Sequence, residues 1–103
     1  MPRLYFSVRP DRDYDCYMIT VEGDALSEAN DVYFVIWQKG NKSMTEKWER
    51  PNCVNSFGTW HLNYRPCGER GCIYCLHVYK NGNQYIDETE FFVERRAGFT
   101  SYY

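Results

Sequence analysis

The residues best equipped for chemistry stand together at Cys67–His77, C-G-E-R-G-C-I-Y-C-L-H. Cys67-x4-Cys72-x2-Cys75-x-His77 offers three thiols and an imidazole, the donor set of a tetrahedral zinc, with Cys53 and His61 as further ligands. C-x-x-C aims two thiolates at one metal only from a tight turn. In an extended strand, residues three apart point to opposite faces. A zinc-stabilised small domain therefore requires a bulge at Ile73. Without it, Cys75 and His77 share a face with Ile73 and Tyr79, while Cys72 faces away. The thiols have two other fates: free, packed side chains, or a disulfide such as Cys53–Cys67 or Cys67–Cys72.

Other chemistry is harder to assemble. His61 and His77 read as lying on neighbouring strands, which would let them approach each other, and Cys75 with His61 has the residue types of a thiolate–imidazolium pair. On a sheet face such a pair is more often packing. No nucleophile elbow, phosphate-cradling glycine loop or zinc-protease motif occurs. Asp11, Asp13 and Asp15 have the spacing of a calcium loop, with Glu22 in twelfth place. Cys16, however, occupies the position that needs glycine, so these read as turn and solvated charges. The expectation is a protein that is not an enzyme and has no cofactor, zinc being the alternative.

Any such residues must be positioned by strands. The chain has 103 residues, 18% of them aromatic, including ten Tyr and three Trp, a composition that favours strands. Cys16–Glu22 alternates, with Tyr17, Ile19 and Val21 on one side. Val32–Trp37 is apolar throughout and reads as a fully buried central strand. Leu4–Val8, closed by a turn at Arg9-Pro10-Asp11, and Met44–Glu49 are shorter strands. Phe57–Tyr64 sets Trp60, Leu62 and Tyr64 against Thr59, His61 and Asn63. Cys72–Tyr79 and Gln84–Val93 flank Asn81-Gly82, a pair suited to the positive-φ positions of a hairpin turn. Gly23–Asp31 is a loop or one short helical turn, and Cys53–Ser56 a loop. The fold expected is all-β, a single Ig-like β-sandwich of about seven antiparallel strands over residues 1–94, with 95–103 as a C-terminal tail.

The middle and end of the chain also resemble a known family. Val35-Ile36-Trp37, a second tryptophan at Trp48, Gly58-Thr59-Trp60, Gly71…Tyr74-Cys75-Leu76-His77-Val78-Tyr79, and Gly82 leading to Thr89-Glu90-Phe91-Phe92-Val93 follow one another over Tyr17–Val93. This order is similar to that of the GBS Bsp-like repeat, an Ig-like module of Gram-positive surface proteins, cell-wall hydrolases and phage lysins. The chain departs from it by one extra residue between Gly71 and Tyr74, by Met44-Thr45-Glu46-Lys47 before the second tryptophan, and by its cysteines. The resemblance implies the fold and a bacterial or phage setting. It implies no catalytic residues.

Partners follow from charge and aromatic surplus. A net charge of −2 with scattered Lys and Arg disfavours general nucleic-acid binding, and no apolar run approaches the roughly 20 residues of a membrane span. Met1-Pro2-Arg3-Leu4-Tyr5-Phe6, with one charge and no apolar stretch, does not read as a secretory signal. A complete reading frame starting Met1-Pro2 is expected in the cytoplasm, and a fragment of a larger protein on a cell surface or virion. One ~100-residue core cannot enclose this many rings. Tyr79, Tyr85, Tyr102, Tyr103 and Trp48 are therefore candidates for a binding face, with Trp37 and Trp60 serving the core or its rim. The function expected is a non-enzymatic binding module for a protein or a cell-wall polymer. The alternative is a small phage or mobile-element protein that binds and inhibits a host defence protein. In that case the acidic loops, Asp11, Asp13 and Asp15 and then Asp87–Glu90, would meet a basic surface.

Overall fold

The alternation of Cys16–Glu22 sets the architecture: Tyr17, Ile19 and Val21 are buried and the residues between them are not. The computed structural model describes residues 4–27, 29, 31–48, 52–55, 58–66 and 68–95, with backbone alone for 42–48 and 52–55. Among these lie eight strands: β1 Tyr5–Asp11, β2 Cys16–Glu22, β3 Val32–Gln38, β4 Asn41–Trp48, β5 Asn52–Asn55, β6 Thr59–Tyr64, β7 Cys72–Lys80 and β8 Gln84–Val93. They form two antiparallel four-stranded sheets, ordered β1-β2-β6-β5 and β4-β3-β7-β8. The all-β expectation holds, with one strand more than the seven anticipated.

The additional strand is β5, in a stretch whose residues read as loop. It pairs along β6, with a register shift between Cys53 and Asn55. β1 also runs past the expected turn to Asp11, carrying Pro10 opposite Tyr17. An edge strand tolerates proline because one side of its backbone needs no partner. The hairpin at Asn81-Gly82 forms as expected, with φ of 46° and 90° at the two residues and Lys80 paired to Gln84. Gly23–Asp31 contributes a single 3₁₀ turn, Asp24–Leu26, which seats Leu26 in the core. Gly58, at φ 92°, lies against Gly23, where a Cβ would strike backbone.

One core lies between the sheets. Ile19, Val21, Leu62 and Tyr64 face Phe34, Ile36, Leu76, Val78 and Val93 across it. At one end Tyr64, Tyr74 and Phe91 meet as a cluster of rings, with centroids 6.0–6.3 Å apart. Buried phenols need partners for their hydroxyls. Tyr74 donates to the Glu69 carbonyl at 2.8 Å, and the Tyr17 hydroxyl accepts the Glu94 N–H at 2.6 Å. The Arg70 guanidinium forks onto Asp15 at 2.9 and 3.0 Å, tying the β6–β7 loop to the β1–β2 turn. Asp87 accepts the Leu4 N–H at 3.1 Å and joins the first sheet's N-terminal end to β8.

Candidate functional site

The core consumes one face of each sheet and leaves the outer faces outside it. On β3 the outward residues are Tyr33, Val35 and Trp37, in register with Tyr79, His77 and Cys75 on β7. Beyond β7, Tyr85, Glu88, Glu90 and Phe92 of β8 pair with Tyr79, His77, Cys75 and Ile73. Three strands thus lay out an ordered grid of rings, with carboxylates along the β8 side.

The rings are in contact throughout. Tyr33 and Tyr79 stack at 5.0 Å with planes 8° apart, and Tyr85 stands across Tyr79 at 5.8 Å and 72°. His77 is edge-on to Trp37 at 4.5 Å and to Tyr85 at 5.7 Å. Glu88 closes the group, receiving the Tyr85 hydroxyl at 2.6 Å and lying 3.3 Å from His77 Nε2. That hydrogen bond, with partial burial and the Glu88 charge behind it, pushes the Tyr85 hydroxyl up to about 12. Further along the face, Lys39 pairs with Glu90 at 3.0 Å, and Ile73 and Phe92 are exposed.

The arrangement depends on a bulge. Tyr85 and Glu88 are three residues apart, which in a regular strand would set them on opposite faces. Between Val78 and Tyr79 the register shifts, so that Val78 meets Asp87, Tyr79 meets Tyr85, and Ile86 is the extra residue, turned into the core. The extra residue restores Tyr85 to the face that holds Glu88.

Several expectations for these residues need correction. Val32–Trp37 is not buried on both faces, because its outer half carries half-buried Val35 and Trp37. β6 and β7, consecutive in the chain, belong to different sheets. His61 and His77 therefore lie on opposite sides of the sandwich, and Cys75 does not approach His61. β7 pairs with β8 in unbroken register from Cys72 to Val78, so no bulge occurs at Ile73. Cys72 faces the core, its thiol 3.4 Å from the Glu69 carbonyl, and Cys75 and His77 face outward. Cys67 lies outside the described residues, as do Tyr102 and Tyr103. Of Trp48 only the backbone is described, opposite Phe34. Cys16, Cys72 and Cys75 are thiols outside any disulfide, and among the described residues no three His, Cys, Asp or Glu stand close enough to hold a metal.

The acidic turn is largely occupied by its own structure. Asp15 is clamped by Arg70 and Asp11 accepts the Asp13 N–H at 3.2 Å, leaving Asp13 exposed. Glu22 ends β2 opposite Tyr5, at the far end of the hairpin from Asp11, which removes the calcium-loop arrangement. The outer face of the first sheet holds a depression of about 490 Å³ lined by Tyr14, Cys16, Met18, His61, Asn63 and Arg65, with Asp11 at its edge. Burial foremost, then the Asp11 carboxylate, hold the Cys16 thiol above its ordinary value, which opposes nucleophilic use.

The sequence pointed to Tyr79 and Tyr85 but missed Tyr33, Trp37, His77 as a ring partner, and Glu88. Tyr33 and Trp37 sat inside an apolar run, and Glu88 needed the bulge. Among the described residues no helix is long and apolar enough to cross a membrane. No family model matches the sequence, and neither a curated protein nor a solved structure matches the chain.

Proposed function

We propose that this chain is a non-enzymatic binding module, an immunoglobulin-like sandwich that holds a protein partner on the aromatic outer face of β3, β7 and β8. The observation that carries this reading is the contiguous layer of Tyr33, Trp37, His77, Tyr79 and Tyr85 on a face with no second layer of described residues over it. Tyr and Trp lose little rotamer freedom on binding and are the side chains most often found as binding anchors. Rings already locked against one another forfeit less still on association.

Two features support the immunoglobulin-like assignment. The strand order fits the A-B-E-D and C′-C-F-G sheets of such domains if β1 to β8 take those places in chain order. Tyr74, at the start of β7, reaches back to the Glu69 carbonyl in the manner of a tyrosine corner. Leu76 stands where antibody domains carry the second cysteine of their inter-sheet disulfide. The Bsp-like resemblance adds support, since its pieces fall on β3, β4, β6, β7 and β8, and it favours a bacterial or phage setting. The separation of Cys75 from His61, and His61's own hydrogen bonds, support a non-catalytic role.

The test is capture from a bacterial lysate with the intact chain and with Tyr79→Ser/Tyr85→Ser. A stoichiometric protein held by the first and lost from the second is the expected result, and equal retention by both sinks the reading. Sedimentation with peptidoglycan that is lost in the same variant would assign the face to a cell-wall polymer instead.

A further inference from the structure

We infer that the partner places an arginine at the Tyr79–Tyr85 corner, its guanidinium lying over a ring and forked onto Glu88. This deepens the aromatic-face reading and rests on it. The charges of the face point this way. Lys39 neutralises Glu90 at 3.0 Å, whereas the partners shown for Glu88 are a phenol and an imidazole, neither a permanent cation. Glu88 keeps its side chain 56% exposed, so its carboxylate is open to a further donor. The ring faces beside it are the negative poles of aromatic quadrupoles, and with a carboxylate they make a site for a cation. A phosphate or an acidic peptide would meet repulsion there.

Arginine fits better than lysine for geometric reasons. A planar guanidinium stacks on a ring and donates two parallel N–H bonds to one carboxylate, while an ammonium is a more strongly hydrated point charge. The Tyr85 hydroxyl, held at 2.6 Å by Glu88 Oε1, keeps both ring and carboxylate in place before anything arrives. A neutral sugar could stack on the same rings but would draw nothing from the charge of Glu88.

The experiment pans a phage-displayed library of random dodecapeptides against the intact chain, against Tyr79→Ser/Tyr85→Ser, and against Glu88→Gln, with each variant's melting curve matched to the parent. The expected result is arginine enriched about fivefold at one position of the retained peptides, the ratio that one charged ring contact supports. Retention should be lost with the tyrosine variant, and the arginine preference alone lost with Glu88→Gln. Peptides that depend on Tyr79 and Tyr85 but show no arginine preference, or accept lysine equally, overturn the inference and leave the aromatic face standing. Retention indifferent to the tyrosines, or no retention at all, overturns both. An N-acetylglucosamine oligomer array bound through Tyr85 in place of peptides replaces the protein partner with a glycan.

Discussion

Each sheet carries a histidine near the middle of its outer face, and the two are used in opposite ways. His61 sits between Thr20 and Asn63. Its Nε2 donates to Asn63 Oδ1 at 2.8 Å, and its Nδ1 lies 3.1 Å from the Thr20 hydroxyl. Both ring nitrogens are thereby satisfied by neutral groups on the same face. His77 has rings on two sides and a carboxylate at 3.3 Å. The first face closes the polar groups around His61 on one another, and the exposed rings on that side, Tyr5 and Tyr14, stand at the start of β1 and in the β1–β2 turn. The second leaves apolar ring surface and the Glu88 carboxylate, beside the Lys39–Glu90 pair, facing water, and burying such ring surface is stabilising.

The sharpest way to break this contrast is to empty each face and measure partner binding. Tyr79→Ser/Tyr85→Ser should weaken binding by about 100-fold or more, as loss of two anchor residues does. His61→Ala/Asn63→Ala should leave it within about twofold, since rim and off-site changes count for little. Titration calorimetry with the captured partner reads both, and equal losses would erase the distinction between the faces.

Stability gives the next largest difference. Tyr33 is only 7% exposed although it faces outward, with its ring stacked on Tyr79 and its hydroxyl donating to Asn83 Oδ1 at 3.2 Å. Tyr33→Ala should cost about 3 kcal/mol in urea unfolding, the order of a large-to-small core change. His61→Ala should cost about 1 kcal/mol or less, the scale of a solvent-facing hydrogen bond. A reversed order would mean that the aromatic layer is decoration on the sheet.

A smaller effect is expected at high pH. The Tyr85 hydroxyl ionises near 12 in the folded chain against an ordinary 10.0. Between those values the folded chain keeps a proton that the unfolded chain has released, so this contribution is complete below pH 10 and is lost as pH rises through 12. Phenolate absorbance should show one late-titrating tyrosine. Glu88→Gln should move that titration back toward the ordinary range, and an unmoved curve would assign the shift to another group.

The smallest effect concerns the first face. With its thiol held up by burial and Asp11, Cys16 should react with iodoacetamide a few-fold more slowly than a free cysteine at pH 8, because the thiolate is the reactive form. Asp11→Asn should speed it modestly. A fast-reacting Cys16 would give the first face a chemistry it otherwise lacks.

Much of the fold was legible because burial on one face writes itself as alternation. Tyr17-x-Ile19-x-Val21 and Leu62-x-Tyr64 announce their inner faces, and Asn81-Gly82 announces its turn. β5 was not legible, because Asn52–Asn55 is a strand on account of the open backbone of β6 and not of its own side chains. The passage from β6 to the other sheet was equally silent, since Arg65–Gly71 reads as a loop whichever sheet it enters. The site was half visible. Surplus aromatics implied an exposed face and named Tyr79 and Tyr85, but V-Y-F-V-I-W looks the same whether its outer half is capped by a second layer or by neighbouring rings. One residue, Ile86, decides that Glu88 belongs with Tyr85, and no periodicity rule reveals it.

That extra residue has a consequence for how the molecule keeps company. β8 borders its sheet, and a straight ten-residue border is an invitation for another chain's strand to zip alongside. The extra residue at Ile86 interrupts the pairing of the border, and Asp87 accepts the Leu4 N–H. The carboxylates of Glu88 and Glu90 flank what remains. A visitor that tries to extend the sheet finds the ladder broken partway along and negative charge beside it. The same extra residue that sets Tyr85 and Glu88 on one face thus also works against strand-to-strand polymerisation along this border.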